Sequence, residues 1–538
     1  RPIRPAWGRG DLLAVLLIVA GYALALLLLP PTREFAYLDD WTYARSVEKV
    51  VAGEGFAPSE YAQATLITPV AWGALFATLF GPGFTVLTLA TMALSLLAAL
   101  TFYALLRRLG FGTLPATMGV ALLVLNPYSL VLSYSFMTEI PFVAMLLLAC
   151  LCTLWGLQED RPAALWLGSL FGALAFLTRQ FGLVVPVAAL LWLLAARRAT
   201  WWRVVSVVLL PGLAVLGYVA WSRGFGQTYS GSVGREEILA LLRPFTWVHR
   251  ASHFIYLAAF LPGLTLPLYG RVRHWRVVAA TAVAGSGAVY GLWQVKAGLV
   301  EQGQSTINDL SYTWLQPFWG DPVPIYCFGT ALTVWLAGGL IERAGPGMVA
   351  LLRRRRAPLP SDFLWLVALV LFAGTYLVSA GFLDRYWLPL LPFLIAAGLG
   401  PFARASPRRF VLVGLLLAPV AAYGVLIHLD DYSQHAARWA AGRWLVARGV
   451  LYDHIRNYAG WEGYYLGDVT MSRLGTHDIM ELGDVPPTDQ IIDPEYLVRT
   501  APQPGYSVLA EFPYNSPLRG GQRQDLFVLH RQVGAPPR

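Results

Sequence analysis

Charge is scarce in this chain. Charged residues make up 13% of the 538, against about 25% in ordinary soluble domains, while hydrophobic residues make up 57%. At ~150 residues per domain the length alone suggests three or four soluble units, but a soluble fold of that size could not hide so much apolar surface. A soluble multidomain enzyme and a disordered chain are therefore excluded, and most of the sequence is expected in lipid. Cysteine is nearly missing. Cys150 and Cys152 lie in one apolar run and Cys327 starts another. With no CxxC and no metal-spaced Cys/His set, a secreted disulfide scaffold is excluded and packing is the simplest role. Lysine is reduced to Lys49 and Lys296 among 40 basic residues. The net charge of +9 thus rests on arginine, which is expected at the cytoplasmic ends of membrane spans and requires no nucleic-acid partner. P-loop, βαβ-type GxGxxG and HExxH motifs are also lacking.

What is present is a succession of apolar runs, each near the ~20 residues that cross ~30 Å of hydrocarbon as helix. They fall at Leu12–Leu29, Phe84–Leu106, Thr113–Leu132, Ile140–Leu157, Ala163–Leu177, Phe181–Ala196, Val204–Trp221, Phe254–Tyr269, Val277–Val295, Ile325–Ile341, Phe363–Gly381, Tyr386–Phe402 and Phe410–His428, about thirteen spans in all. The first resembles a signal peptide in its flanking arginines, but no small-residue cleavage site follows. Leu66–Phe80 is apolar but short, an interfacial or re-entrant segment. With Arg1, Arg4 and Arg9 inside, every following inside loop carries arginine: Arg107 and Arg108; Arg161; Arg197, Arg198 and Arg203; Arg271, Arg273 and Arg276; Arg343 with Arg353 to Arg356; and Arg404, Arg408 and Arg409. That bias fixes the orientation, and an odd span number puts the C-terminal segment outside. Acidic residues concentrate in outer loops, above all 31–65, with further polar and aromatic loops at 222–252 and 296–324. Long loops of this kind carry function.

The expected architecture is an α-helical polytopic membrane protein, with a membrane unit at 1–429 and a soluble unit at 430–538. From Asp430 the chain turns polar and Gly/Pro-punctuated, reading as a small α/β unit with a helix at His435–Ala447 and strands at Ser507–Phe512 and Asp525–Leu529.

Four places at the outer mouths could carry chemistry. The first is Tyr37-Leu38-Asp39-Asp40-Trp41-Thr42-Tyr43-Ala44-Arg45, just beyond the first span. Tyr43, Val47, Val50 and Val51 follow at helical spacing, predicting an amphipathic juxtamembrane helix with Asp39 and Asp40 at its N-terminus. Two readings stand for that pair: helix caps, or repelling carboxylates of which one is raised in pKa and able to take a proton. The second is Glu139, at the mouth of a span, where a carboxylate is costly without a partner or polar cavity, although Thr138 and Glu139 also suit a cap beside Pro141. The third and fourth are Arg179, between two short spans, and Asp384-Arg385-Tyr386-Trp387. Both arginines are either membrane anchors or phosphate ligands. His249 and His253, four apart, are a weak metal hint, with an interfacial position the simpler reading.

The acidic pair followed two residues later by Tyr43-Ala44 resembles the Asp-Glu-x-x-Tyr-Ala signature of GT-C glycosyltransferases, the bacterial protein O-mannosyltransferase and aminoarabinose-transferase group. Asp39 stands at the Asp and Asp40 at the Glu. Pro69–Gly81, the span ending Leu106-Arg107-Arg108-Leu109-Gly110, the Thr138-Glu139-Ile140-Pro141 mouth and Arg385-Tyr386-Trp387-Leu388-Pro389 are similar to later blocks of that family. The chain departs from it in reading Asp-Asp for Asp-Glu, and Leu66-Ile67-Thr68-Pro69 where many relatives have His-Pro-Pro.

The resemblance implies transfer of a sugar from a polyprenyl-phosphate donor to a lipid, glycan or protein acceptor at the outer face of a bacterial cytoplasmic membrane. It implies Asp39 as general base, with Asp40 and Glu139 orienting the acceptor or helping to hold a divalent cation. Arg385, Arg179 and Tyr386 would bind the donor phosphate. Direct in-line attack would invert the anomeric centre. Two other classes remain open. A transporter or flippase would show internal repeats and midplane charges, and neither is visible. A non-catalytic subunit would use the outer acids as caps alone.

Overall fold

In lipid a backbone N–H or C=O has no water to bond, so the apolar runs must satisfy themselves as helices. The computed structural model describes residues 7–37, 39–56, 64–224, 357–378, 384–399, 407–474 and 494–532, with isolated positions between 276 and 287 and at 349. Helices run in the order α1 (Arg9–Leu28), α2 (Asp40–Val51), α3 (Ile67–Phe80), α4 (Phe84–Arg108), α5 (Thr113–Val124), α6 (Pro127–Ser133), α7 (Glu139–Glu159), α8 (Pro162–Phe176), α9 (Val184–Ala195) and α10 (Trp201–Gly224). Beyond them lie α11 (Asp362–Val378), α12 (Leu391–Leu399), α13 (Pro407–Val446) and α14 (Ala459–Leu474).

Among the described residues, five helices are long and apolar enough to cross a membrane, and six if α5 and α6 form one bent span. The chain is a multi-pass membrane protein. α1 exposes Leu12, Leu13, Leu16, Leu17 and Leu24, as a helix at the rim facing lipid should. α7 is enclosed on nearly all sides by α4 and α8. Its apolar residues all round the helix mark it as central.

Several expected boundaries shift. The run Thr113–Leu132 is not one helix. It bends by 66° between α5 and α6, where Asn126 caps the new helix by accepting from Tyr128 N at 3.0 Å and Pro127 occupies its first turn. The run Tyr386–Phe402 begins as a 3-10 turn, Asp384–Leu390, that contains Pro389. The expected spans Phe254–Tyr269 and Ile325–Ile341 lie outside the described residues, as does nearly all of Val277–Val295. So do the loops at 225–252 and 296–324 and Cys327.

α13 runs straight through the expected boundary at 429 and 430. Its C-terminal half packs on a four-stranded sheet of β1 (Ile455–Arg456), β2 (Tyr496–Arg499), β3 (Tyr506–Ser516) and β4 (Gln522–Arg531), in spatial order β1-β2-β4-β3. β1 and β2 are parallel and the other pairs antiparallel, with a bulge between Val508 and Ala510. The strands expected at Ser507–Phe512 and Asp525–Leu529 lie within β3 and β4. This region shares one apolar core with α2 and the loop before it: Phe35, Trp41 and Val47 pack with Trp439, Trp461, Val498 and Val528. α2 is accordingly buried through Trp41, Thr42, Ala44, Ser46 and Val47, and it packs against α3 and α14. Gly463 permits the closest approach, since a Cβ there would run into the Trp41 ring.

Candidate active site

The two aspartates at the start of α2 face different surroundings. Asp39 occupies the N-cap position, yet its carboxylate makes no capping bond. It is 58% exposed and accepts instead from Arg385 Nη2 at 2.9 Å. Asp40 is fully buried. It accepts from Arg33 Nη2 at 2.5 Å, from Tyr37 N at 2.8 Å and from Phe136 N at 3.1 Å. Burial raises the Asp40 carboxyl pKa, against the opposing pull of Arg33. The cause is thus desolvation, where the sequence suggested repulsion between the adjacent acids. Arg33 was not singled out in the sequence. Its only signal there is a lone arginine among loop acids. In the structure it also bonds Thr88 Oγ1 at 2.8 Å and Phe35 O at 2.8 Å, so the whole guanidinium is committed.

Glu139 begins α7 and is fully buried. Two guanidiniums meet its Oε1, Arg385 Nε at 3.2 Å and Arg179 Nη1 at 3.4 Å. Arg179 sits where α8 gives way to a 3-10 turn, Gln180–Leu183. Gly182 lets that turn fold back tightly, since a Cβ there would run into Phe176 N and Ala175 C. The Arg179 guanidinium stacks 4.7 Å from the centre of the Tyr386 ring. Burial works against the charge on Arg385, but Glu139 and Asp39 more than restore it, and its pKa is raised. Tyr43, one turn into α2, senses all four charges of the cluster. Burial, with Glu139 adding to it, raises its hydroxyl pKa so that the proton stays on.

Asp39, Glu139, Arg179, Arg385 and Tyr386, far apart in sequence, are therefore neighbours. Asp40 is separated from them, with Arg33 as its partner. Asp40 and Glu139 both have arginine partners. Among the described residues no group of three or more His, Cys, Asp or Glu gathers as a metal site. His249 and His253 lie outside the described residues. An exposed carboxylate beside two guanidiniums, at the mouth of a span, can accept a proton from an incoming hydroxyl while the guanidiniums meet an anion.

Residues 69–221 match the family model described as dolichyl-phosphate-mannose-protein mannosyltransferase. The resemblance to GT-C membrane glycosyltransferases is borne out over that segment. The mannosyltransferase match reaches from α3 into α10 and includes Glu139 and Arg179, while Asp39, Arg385 and Tyr386 lie outside it. Two solved structures are similar over most of their length. One is ArnT from Cupriavidus metallidurans bound to undecaprenyl phosphate, at 15% identity, covering 97% of this chain and 99% of that one, with a TM-score of 0.47. The other is the same protein in its apo state, at 16% identity, the same coverage and a TM-score of 0.41. Superposition at that level is too loose to transfer residues or ligands. No curated protein matches the chain significantly.

Proposed function

We propose that this chain is a glycosyltransferase that moves a sugar from a polyprenyl-phosphate donor to an acceptor hydroxyl at the outer face of a bacterial cytoplasmic membrane. The acceptor is a lipid, glycan or protein. The observation that carries this reading is the cluster of Asp39, Arg385, Glu139 and Arg179, because it sets an exposed base against two guanidiniums at one membrane mouth. The family description of the matching segment, which names a lipid-phosphate sugar, supports it.

Asp39 takes the proton of the acceptor hydroxyl as its oxygen bonds to the anomeric carbon. The bond from that carbon to the phosphate oxygen breaks, and the polyprenyl phosphate leaves with the electron pair. Arg385 and Arg179 stabilise the negative charge as it develops, and Tyr386 holds Arg179 by its ring face. Glu139 keeps the two guanidiniums side by side. A single in-line displacement inverts the anomeric centre. Asp40, bonded to Arg33, shapes the loop that carries Asp39.

The test is release of free polyprenyl phosphate from a panel of radiolabelled polyprenyl-phosphate sugars by protein in nanodiscs. Turnover of one donor, lost in Asp39→Asn at equal expression, supports the transferase. Undiminished transfer in Asp39→Asn overturns the assignment of the base.

A further inference from the structure

The five residues from Thr32 to Ala36 lead into Asp39 without belonging to helix or strand, so their backbone groups need partners from elsewhere. Those partners alternate. On one side, the carbonyl of Arg33 accepts from Thr85 Oγ1 at 2.9 Å and that of Phe35 from Arg33 Nη1 at 2.8 Å, both within the membrane unit. On the other side, the carbonyls of Thr32, Glu34 and Ala36 accept from Tyr432 Oη at 2.8 Å, Arg443 Nη1 at 3.0 Å and Tyr458 Oη at 2.8 Å. Three side chains of the C-terminal segment thus hold alternate carbonyls of this loop.

The donors are themselves fixed. Trp439 Nε1 donates to the Tyr458 hydroxyl, which leaves that hydroxyl's own proton for Ala36. The Tyr432 ring packs edge-on to Phe35 at 4.9 Å. α13 is also tied to the sheet by Ser433 Oγ donating to Asn515 O at 2.8 Å and Gln434 Nε2 donating to Tyr514 Oη at 3.2 Å.

We propose that the C-terminal segment acts as a clamp on the Asp39 loop, with Tyr432, Arg443 and Tyr458 as positioning residues that set where Asp39 meets Arg385. This rests on the reading of Asp39 as the general base. The segment's task is then to hold the base.

The experiment uses the full-length protein in nanodiscs and the double variant Tyr432→Phe/Tyr458→Phe, which removes two hydroxyls and keeps both rings. Amide exchange of peptides over 32–41 is compared with peptides over α7 and β4, and transfer kinetics are measured with the accepted donor. Exchange in the loop rises about tenfold while α7 and β4 are unchanged, and kcat falls about tenfold with both KM values steady, as expected when a reacting group is misplaced. Arg443→Lys, which keeps a donor, retains most of the kcat that Arg443→Met loses. Unchanged exchange in the loop overturns the clamp. So does faster exchange throughout the molecule, or a raised acceptor KM at constant kcat. Exchange needs no substrate, so wild-type protein inactive on every donor overturns the transferase reading while exchange alone still decides the clamp.

Discussion

Arg385 Nη2 meets Asp39 Oδ2 at 2.9 Å across 346 positions of sequence. The same guanidinium reaches the buried Glu139 at 3.2 Å. One arginine thus bridges an exposed carboxylate and an enclosed one.

Asp39→Asn keeps a good N-cap residue at a position where the carboxylate makes no capping bond. The fold should therefore be unchanged and donor turnover should drop by ~10² to 10⁴. Release of polyprenyl phosphate, with a thermal melt alongside, separates the two effects.

Glu139→Gln removes the charge that the two guanidiniums share in a fully buried position. Breaking a buried pair from one side costs about 3 to 5 kcal/mol. The single variant should melt well below wild type, and Glu139→Gln/Arg179→Gln should recover part of the loss. A double variant that melts lower than the sum of the singles predicts would speak against this charge balance.

Arg33 and Asp40 are also fully enclosed. Arg33→Met and Asp40→Asn should each lower stability by roughly 3 to 5 kcal/mol, with the double variant costing clearly less than the sum. Unfolding of the three variants in one nanodisc preparation measures the coupling.

Asp431 provides a pH test. Burial, with the neighbouring Asp430 adding to it, pushes its carboxyl from the ordinary 3.8 up to about 7, and the Tyr37 hydroxyl donates to it at 3.3 Å. An acid raised in the folded state binds its proton more tightly folded than unfolded. Its contribution to stability is complete below the ordinary value and is lost as pH rises through about 7. Wild type should therefore lose melting temperature between pH 5.5 and 8 relative to Asp431→Asn. Parallel melting profiles for the two proteins would contradict the assignment.

Gly463→Ala places a methyl group against the Trp41 ring where α14 crosses α2. Overpacking of this kind costs about 1 to 3 kcal/mol. It should loosen the C-terminal segment from α2, read as faster amide exchange in that helix.

The membrane character was legible because apolar runs and arginine placement are summed properties that survive without coordinates. That Asp39, Glu139, Arg179 and Arg385 lie at or beside helix ends was legible for the same reason, since each lies at the end of an apolar run. The break at Asn126-Pro127 was less visible. It sits inside a run that hydropathy alone joins, although the dipeptide is itself a stop-and-start signal. The continuity of α13 past His428 was hidden because hydropathy marks where lipid ends, and a helix with a packed polar half does not end there. Arg33 gave no sign of its importance, since a lone arginine near a span end has many ordinary uses.

The sequence by itself determined that this chain crosses a membrane repeatedly and that its acids and arginines collect at span mouths, because composition and local periodicity decide which residues can face lipid. Which aspartate of the pair stays exposed and which is buried against Arg33 was decided only by tertiary structure. So were the meeting of Arg385 with both Asp39 and Glu139, and the capping of the Asp39 loop by Tyr432, Arg443 and Tyr458. These are contacts between segments distant in the chain, and neighbouring residues with the same chemistry differ only in what the packed chain brings to each of them.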